Sequence, residues 1–469
     1  MVRKLRPQAA LTSTCECAII GLSTFKGYFK GVGRLMVEQK YDVIIIGGGI
    51  AGLSCATVLQ SEGVSFLIIE KENNLGGRIR TYFDDNVTIE TGASFMAGFY
   101  STVRQLVKQC EMAPESKKDS QDTWLYRPGK PLGPVWPLSA LRKSRSISRR
   151  AKLRALWGAL LMFIDTKRIR DFMPSQDLIK FDFESVKIWG ERSFGREIYM
   201  NVLEPLMRAL FFWDCSKTSR GIVPPIVKGV MEDRHFYRLP AGMTSFAKKL
   251  GSQFPHQLDS TVYTIEKVAS QYMIHSSTGV YKARSIVFAC PATETVRIFR
   301  QSGISPSEHL CSISYSSINV GIVNTNSTED LGVGFRSIVV SSEYHTPLVA
   351  FKVIRSKKSN YFRFYWSSQN NDIQEEVVLE HVYSELMKMN LPRIAAAIQQ
   401  GRLVDWVRWD SAIPLFNVGS ITQVSSNVLH EELPTGVYVA GDYTCAPHLE
   451  GAAESGVKAA RRILKTIQK

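Results

Sequence analysis

Short, β-branched apolar runs bounded by glycines recur along the chain, a pattern that belongs to buried strands. Tyr41 to Ile46 is the first, and Gly47, Gly48, Gly49 and Gly52 follow it at once. The stretch from Ile50 to Ser61 then reads as a helix, and Ser65 to Ile69 as a second strand. Thr261 to Ile265, Ser285 to Ala289 and Gly436 to Ala440 repeat the strand pattern. A different period appears at Leu153, Leu156, Trp157, Leu160, Leu161 and Ile164, whose spacing puts all six on one helix face. With Arg149, Arg150, Lys152 and Arg154 at its start, such a helix over residues 149–165 serves either a core or a membrane surface.

Strand, G-x-G-x-x-G, helix and strand in that order predict a dinucleotide-binding unit. Gly47 permits the tight turn, Gly49 lets backbone approach a diphosphate, and Gly52 lets helix and strand pack closely. Ala51 lies in the helical turn that faces the phosphates. Glu70 ends the second strand, where a carboxylate takes ribose hydroxyls, with Lys71 beside it. Near the other terminus, Gly441-Asp442 follows a strand, and Glu450, Gly451 and Ala452 open a helix whose first turn has little bulk. Small residues there admit a ligand to the backbone amides.

The segment Leu75-Gly76-Gly77-Arg78-Ile79-Arg80-Thr81 resembles the GGRxxT stretch of the flavin amine oxidase superfamily, in particular its protoporphyrinogen oxidase and carotenoid desaturase branch. Similar short matches occur at Glu90-Thr91-Gly92-Ala93, at Arg238 to Met243, at Ser285 to Ala292, and at Trp409 with Ala412 and Pro414. Glu184-Ser185-Val186, Phe194 to Glu197 and Glu204-Pro205-Leu206 resemble the helical stretch of the oxidase branch. The resemblance implies an α/β fold: a Rossmann-type FAD-binding domain with an interleaved α+β substrate domain. It assigns 36–95, 235–292 and 405–469 to the first, and 96–234 and 293–404 to the second. It also implies non-covalent FAD, with Arg78 and Gly77 at the pyrophosphate, Gly92 and Ala93 beneath the ring, the Val262 backbone at adenine, Asp442 at the ribityl chain, and Glu450 to Ala452 at the ring edge.

Two departures bear on the reaction. The position matching the flavin-facing lysine of many amine oxidases reads as Asn319, and the residue pair before Glu450 is His448-Leu449 where those enzymes place an aromatic. Asn319, His448 and Trp409 are the candidates near the ring. The expected function is dehydrogenation of a bulky hydrophobic substrate, with electrons leaving to oxygen, a quinone or another acceptor. The alternatives are an amine oxidase releasing peroxide and a non-redox flavin isomerase or lipid-binding protein. Gly332 to Ser337 lacks a third glycine, so no second dinucleotide unit is expected.

Charge narrows the partners. The net +15 is concentrated in residues 1–35, at +5, and 138–170, at +9. The remainder is nearly neutral, which argues against a nucleic-acid surface. The eight cysteines show no metal or disulfide spacing, which fits a reducing compartment, cytoplasmic or organellar, with possible peripheral membrane contact. Residues 1–35 are either a transit peptide or sequence upstream of a start at Met36.

Overall fold

β1, Gln39–Ile46, is an apolar strand whose Val43 to Ile46 are buried, and it ends where Gly47 takes a φ of +109° that side chains rarely adopt. The chain therefore turns sharply into α1, Ile50–Ser61, and returns as β2, Phe66–Ile69. In this computed structural model the described residues are 39–467, apart from 85–86, 119–122, 137–146, 170–172, 174–175, 334–336 and 369–372. The segment 1–35, the basic residues Arg142, Lys143, Arg145 and Arg170, and the centre of the Gly332 to Ser337 motif lie outside them. Residues 39–469 form one compact unit.

Two seven-stranded sheets organise that unit. In the first, His256–Gln257, β2, β1 and Gly279–Phe288 run parallel. Gly279–Phe288 has two partners on its far edge: its first residues pair antiparallel with Gln271–Ser276, and Ile286 to Phe288 pair parallel with Val437–Val439. One long strand thus joins the N-terminal glycine unit to the C-terminal strand. Eight residues of α1 are buried, because it lies between this sheet and the C-terminal helix, Leu449–Ile467. The two helices touch backbone to backbone: a Cβ on Gly456 would lie 2.0 Å from the Ala51 carbonyl oxygen.

The second sheet has the order 402–414, 315–324, 360–367, 348–355, 337–340, 123–127, 130–136, antiparallel except for 337–340 against 123–127. Arg402–Pro414 belongs here, hydrogen-bonded along Tyr315–Asn324, and not to the first sheet as the boundary at 405 would have it. The alternation of the strand decides this. Trp406 packs with the cluster under helices Glu375–Lys388 and Pro392–Gln400, and Trp409 points to the opposite face, so both faces need cover. Its far end, at Ala412, reaches the first sheet's glycine segments.

In α3, Arg149–Lys167, the apolar stripe does not face the core. Its buried positions are Ala151, Gly158, Met162, Asp165 and Thr166, whereas Leu153, Leu156, Trp157, Leu160 and Ile164 are exposed. Leu161 is half-buried.

Candidate active site

The first element of the site is a gap between two glycine segments. Gly49 and Gly76 form an isolated parallel bridge, and the Gly76 amide donates to the Gly48 carbonyl at 2.9 Å. A Cβ on Gly77 would lie 3.2 Å from the Gly49 Cα, whereas one on Gly49 would meet nothing closer than 4.0 Å. The amide end of α1 has no side-chain cap and no acid in its first turn. Uncapped amides with open space beside them suit an anion. Gly52 is needed for packing instead, since its Cβ would fall 2.1 Å from the Gly47 carbonyl oxygen, and Ala51 is buried beside it.

Glu70 is held by the Gly48 amide at 2.6 Å and the Glu72 amide at 3.0 Å. Burial raises its pKa, and those amides oppose the rise. The Ser260 amide donates to the Glu70 carbonyl, which brings Val262 alongside, although the Val262 carbonyl is occupied by Arg297 at 3.0 Å. Lys71 points to solvent and lies 3.8 Å from Glu72.

The two ends of the chain meet at Arg78 and Asp442. The guanidinium pairs with both carboxylate oxygens at 2.8 Å and donates to the Ala412 carbonyl at 2.8 Å. Sequence resemblance sent Arg78 to the pyrophosphate and Asp442 to the ribityl chain. The structure joins them to each other because Asp442 is buried and needs a cation. Gly441 is anchored by Ser455, whose hydroxyl accepts its amide proton at 2.8 Å. Gly92 and Ala93 donate to Arg80 and Arg78 carbonyls, and a Cβ on Gly92 would lie 2.1 Å from the Arg78 carbonyl oxygen.

Glu450 does something the sequence did not reveal. Its carboxylate accepts from the Thr102 amide at 2.7 Å, the Val103 amide at 2.9 Å and the Ser101 hydroxyl at 3.1 Å, capping α2, Ser101–Gln109. The side chain is thereby committed to a helix end, and only the backbone of Glu450, Gly451 and Ala452 remains for a ligand. Gly451 is required by contact, since its Cβ would lie 2.1 Å from the Ala446 carbonyl oxygen.

The three ring candidates fall in different surroundings. His448 is a packed residue. It stacks on Tyr100 at 5.2 Å, its Nδ1 accepts from the Gly451 amide at 3.1 Å, and burial lowers its pKa to about 4. Asn319 is opposite Trp366 in register, on the face covered by helix Glu375–Lys388, and its Oδ1 is buried without a partner. The residues facing the other way are Ile318 and Val320, which pack with Phe212, Tyr365, Trp409 and Ala412. A one-residue slip exchanges the two faces of a strand, so the register alone decides which face Asn319 shares. Trp409 ties the second sheet to the glycine segment, its Nε1 donating to the Thr91 carbonyl at 2.8 Å.

Sequence reading also missed Arg363. It lies on the same face as Tyr365, 5.1 Å over that ring, and donates to the Glu90 carbonyl at 3.0 Å. Its charge, after burial, helps lower the pKa of Arg238. Neither arginine makes an ion pair among the described residues. The nearby Glu90 carboxylate is occupied by Thr81 at 2.6 Å and the Met243 amide at 3.0 Å. An arginine between aromatics in Asn360–Ser367 was the available signal.

A profile of flavin containing amine oxidoreductases matches residues 50–464, from the start of α1 into the C-terminal helix. The chain belongs to this family. Its members are FAD-dependent oxidoreductases, and FAD is the cofactor. The open amide end of α1 and the Gly49–Gly77 gap fit that dinucleotide. A relative from Dictyostelium discoideum, "Probable flavin-containing monoamine oxidase A", is 22% identical over 280 residues, covering 57% of this chain and 60% of that protein. The match therefore spans less than two thirds of that relative's length. Among solved structures, an Exiguobacterium sp. protein assigned as a protoporphyrinogen oxidase aligns with a TM-score of 0.72 at 16% identity, covering 92% of this chain and all of the other. A putrescine oxidase triple mutant aligns with a TM-score of 0.72 at 15% identity over the same share of this chain. At these identities the likeness is one of fold.

Proposed function

We propose that this protein dehydrogenates a bulky hydrophobic organic substrate and passes the electrons to oxygen, a quinone or another acceptor. The observation that carries the reading is the site-facing side of the second sheet. Ile318 and Val320 stand there beneath Phe212, Tyr365 and Trp409, a continuous apolar patch.

The amide end of α1, Glu70, the backbone of Gly92, Ala93 and Gly451, and the Arg78–Asp442 pair would hold FAD non-covalently. When bound, FAD supplies the hydride acceptor. The chain's own contribution is then binding and exclusion of water. The apolar face takes the substrate body, and Trp409 keeps that face against Thr91. Arg238 and Arg363 outnumber the single Glu90 carboxylate beside them, which leaves positive charge on one side and favours a substrate with an anionic end. That charge is the reason to prefer this reading over amine oxidation. His448 stays neutral and hydrogen-bonded, so it takes no proton from substrate.

Anaerobic addition of lipophilic carboxylic acids, neutral lipophiles and amines to the yellow holoprotein tests the proposal through bleaching of the flavin absorbance. Bleaching by the lipophiles supports it. Bleaching by amines alone, with peroxide on readmission of air, overturns it. A product altered with no bleaching at any stage assigns the protein to isomerisation.

A further inference from the structure

α3 is built inside out for a core helix. Ser148 caps it by accepting from the Ala151 amide, and Glu197 holds Ser148 in turn at 2.6 and 2.7 Å. Apart from Met162, its inward face carries small or polar side chains. A Cβ on Gly158 would lie 2.3 Å from the Phe194 ring, so α3 is seated closely on helix Val186–Phe194. Asp165 is buried and paired with Arg220 at 3.0 Å, which also pairs with Glu184 at 2.8 Å. These contacts fix the rotation of the helix and leave its large apolar residues outside.

The outward face is extensive. Leu153 is 68% exposed, Leu156 69%, Trp157 59%, Leu160 47%, Phe163 43% and Ile164 38%. The adjoining segment adds Phe183, 66% exposed, whose ring lies 5.9 Å from the same Arg220 that grips Asp165. Scattered exposed leucines need no explanation, but a contiguous set on one helix marks an interaction surface. Cations frame it. Arg149, Arg150 and Arg154 stand exposed at one end, Lys167 and Arg168 at the other, and the Lys167 Nζ lies 5.3 Å over the Phe163 ring. The helix holds one acid, Asp165, already paired.

We propose that this face docks on an anionic lipid bilayer, with α3 lying in the interface plane. Charge selects the occupant. A second copy would set the same cations against each other, and the chain's own 1–35 segment carries a net +5 that α3 would repel. A negatively charged lipid surface satisfies the arginines and the leucine–tryptophan face together. The helix does not cross: no helix among the described residues is long and apolar enough. Docking puts the second sheet's apolar wall on a body resting at a bilayer, where a lipophilic substrate resides. The docking itself does not depend on which reaction is catalysed.

The test is flotation of the full-length holoprotein with vesicles of phosphatidylcholine alone or with phosphatidylserine, at low and high salt. Binding to the phosphatidylserine vesicles, weakened by salt, is expected. The triple substitution Leu156→Ser, Trp157→Ser, Leu160→Ser should lower the bound fraction at least about tenfold at unchanged Tm and flavin content, because these side chains have little to lose on the folded protein. Arg149→Glu with Arg150→Glu should abolish the preference for anionic vesicles. Val268→Ser, an exposed residue on the first sheet, should change nothing. Equal flotation of wild type and triple variant, or equal affinity for neutral vesicles, overturns the proposal. So does a dimer in sedimentation that the triple variant dissociates while vesicle binding is absent throughout.

Discussion

Around the first sheet, backbones approach one another until a single Cβ would collide, at Gly47, Gly52, Gly92, Gly451 and Gly456. The side of the second sheet that we propose faces the substrate is formed by bulk, from Ile318, Val320, Phe212, Tyr365 and Trp409, and many apolar residues could fill the same volume. The first region admits one residue type at fixed positions, and the second admits a class. Specificity for cofactor can therefore be written in a motif, whereas specificity for substrate is distributed over strands remote in sequence.

Substitution on either side of that contrast sharpens it, and the largest effect should come from the close-packed side. Gly456→Val drives two methyl groups and a Cβ into the Ala51 backbone, for a loss of more than about 3 kcal/mol and of bound flavin. Chemical denaturation with absorbance of the purified protein checks it; a stable yellow variant would show that the helices can separate without harm. Arg78→Met leaves the buried Asp442 carboxylate without its cation. The arginine side chain is 32% exposed, so solvent screening reduces the cost to about 2 kcal/mol, with weaker flavin retention. Asp442→Asn in the Arg78→Met background should then recover stability, and failure to do so would mean that the pair matters only through the ligand.

His448 supplies a pH signature. Its folded pKa, lowered to about 4, lies below the unfolded value of about 6.5, so the unfolded chain binds the proton first. The stability it contributes is complete above pH 6.5 and is lost as pH falls toward 4, by about 3 kcal/mol. His448→Phe keeps the stacking on Tyr100 and should flatten that part of the Tm profile. His430, lowered to about 3 by burial and then by Arg462, acts in the same direction and leaves a residual slope. An unchanged slope in the variant would place the titration elsewhere.

The smallest effect is expected at Asn319. Because its Oδ1 is buried with no partner, Asn319→Leu should be neutral or stabilise by up to about 1 kcal/mol, with the flavin spectrum unchanged. A shifted spectrum would return Asn319 to the cofactor side and reverse the assignment of faces on Tyr315–Asn324.

Local sequence determined the parts of the protein whose physics is local. A turn that needs positive φ, an uncapped helix end and a strand closing on Glu70 are each specified within a few residues, so the order of β1, the glycines, α1 and β2 was legible. The family could be recognised from the same stretches. What the tertiary structure alone decided were the choices between two faces or two partners. Alternation shows that a strand has two sides without saying which is covered, and only the packing of helix Glu375–Lys388 turned Asn319 away from Trp409. Helical spacing likewise put the α3 leucines on one side, but the contact of Gly158 with Phe194 and the pairing of Asp165 with Arg220 turned that side outward. Charges behave in the same way, because a carboxylate takes the nearest donor in space. Glu450 went to the α2 amides and Asp442 to Arg78, each more than 300 positions away in sequence.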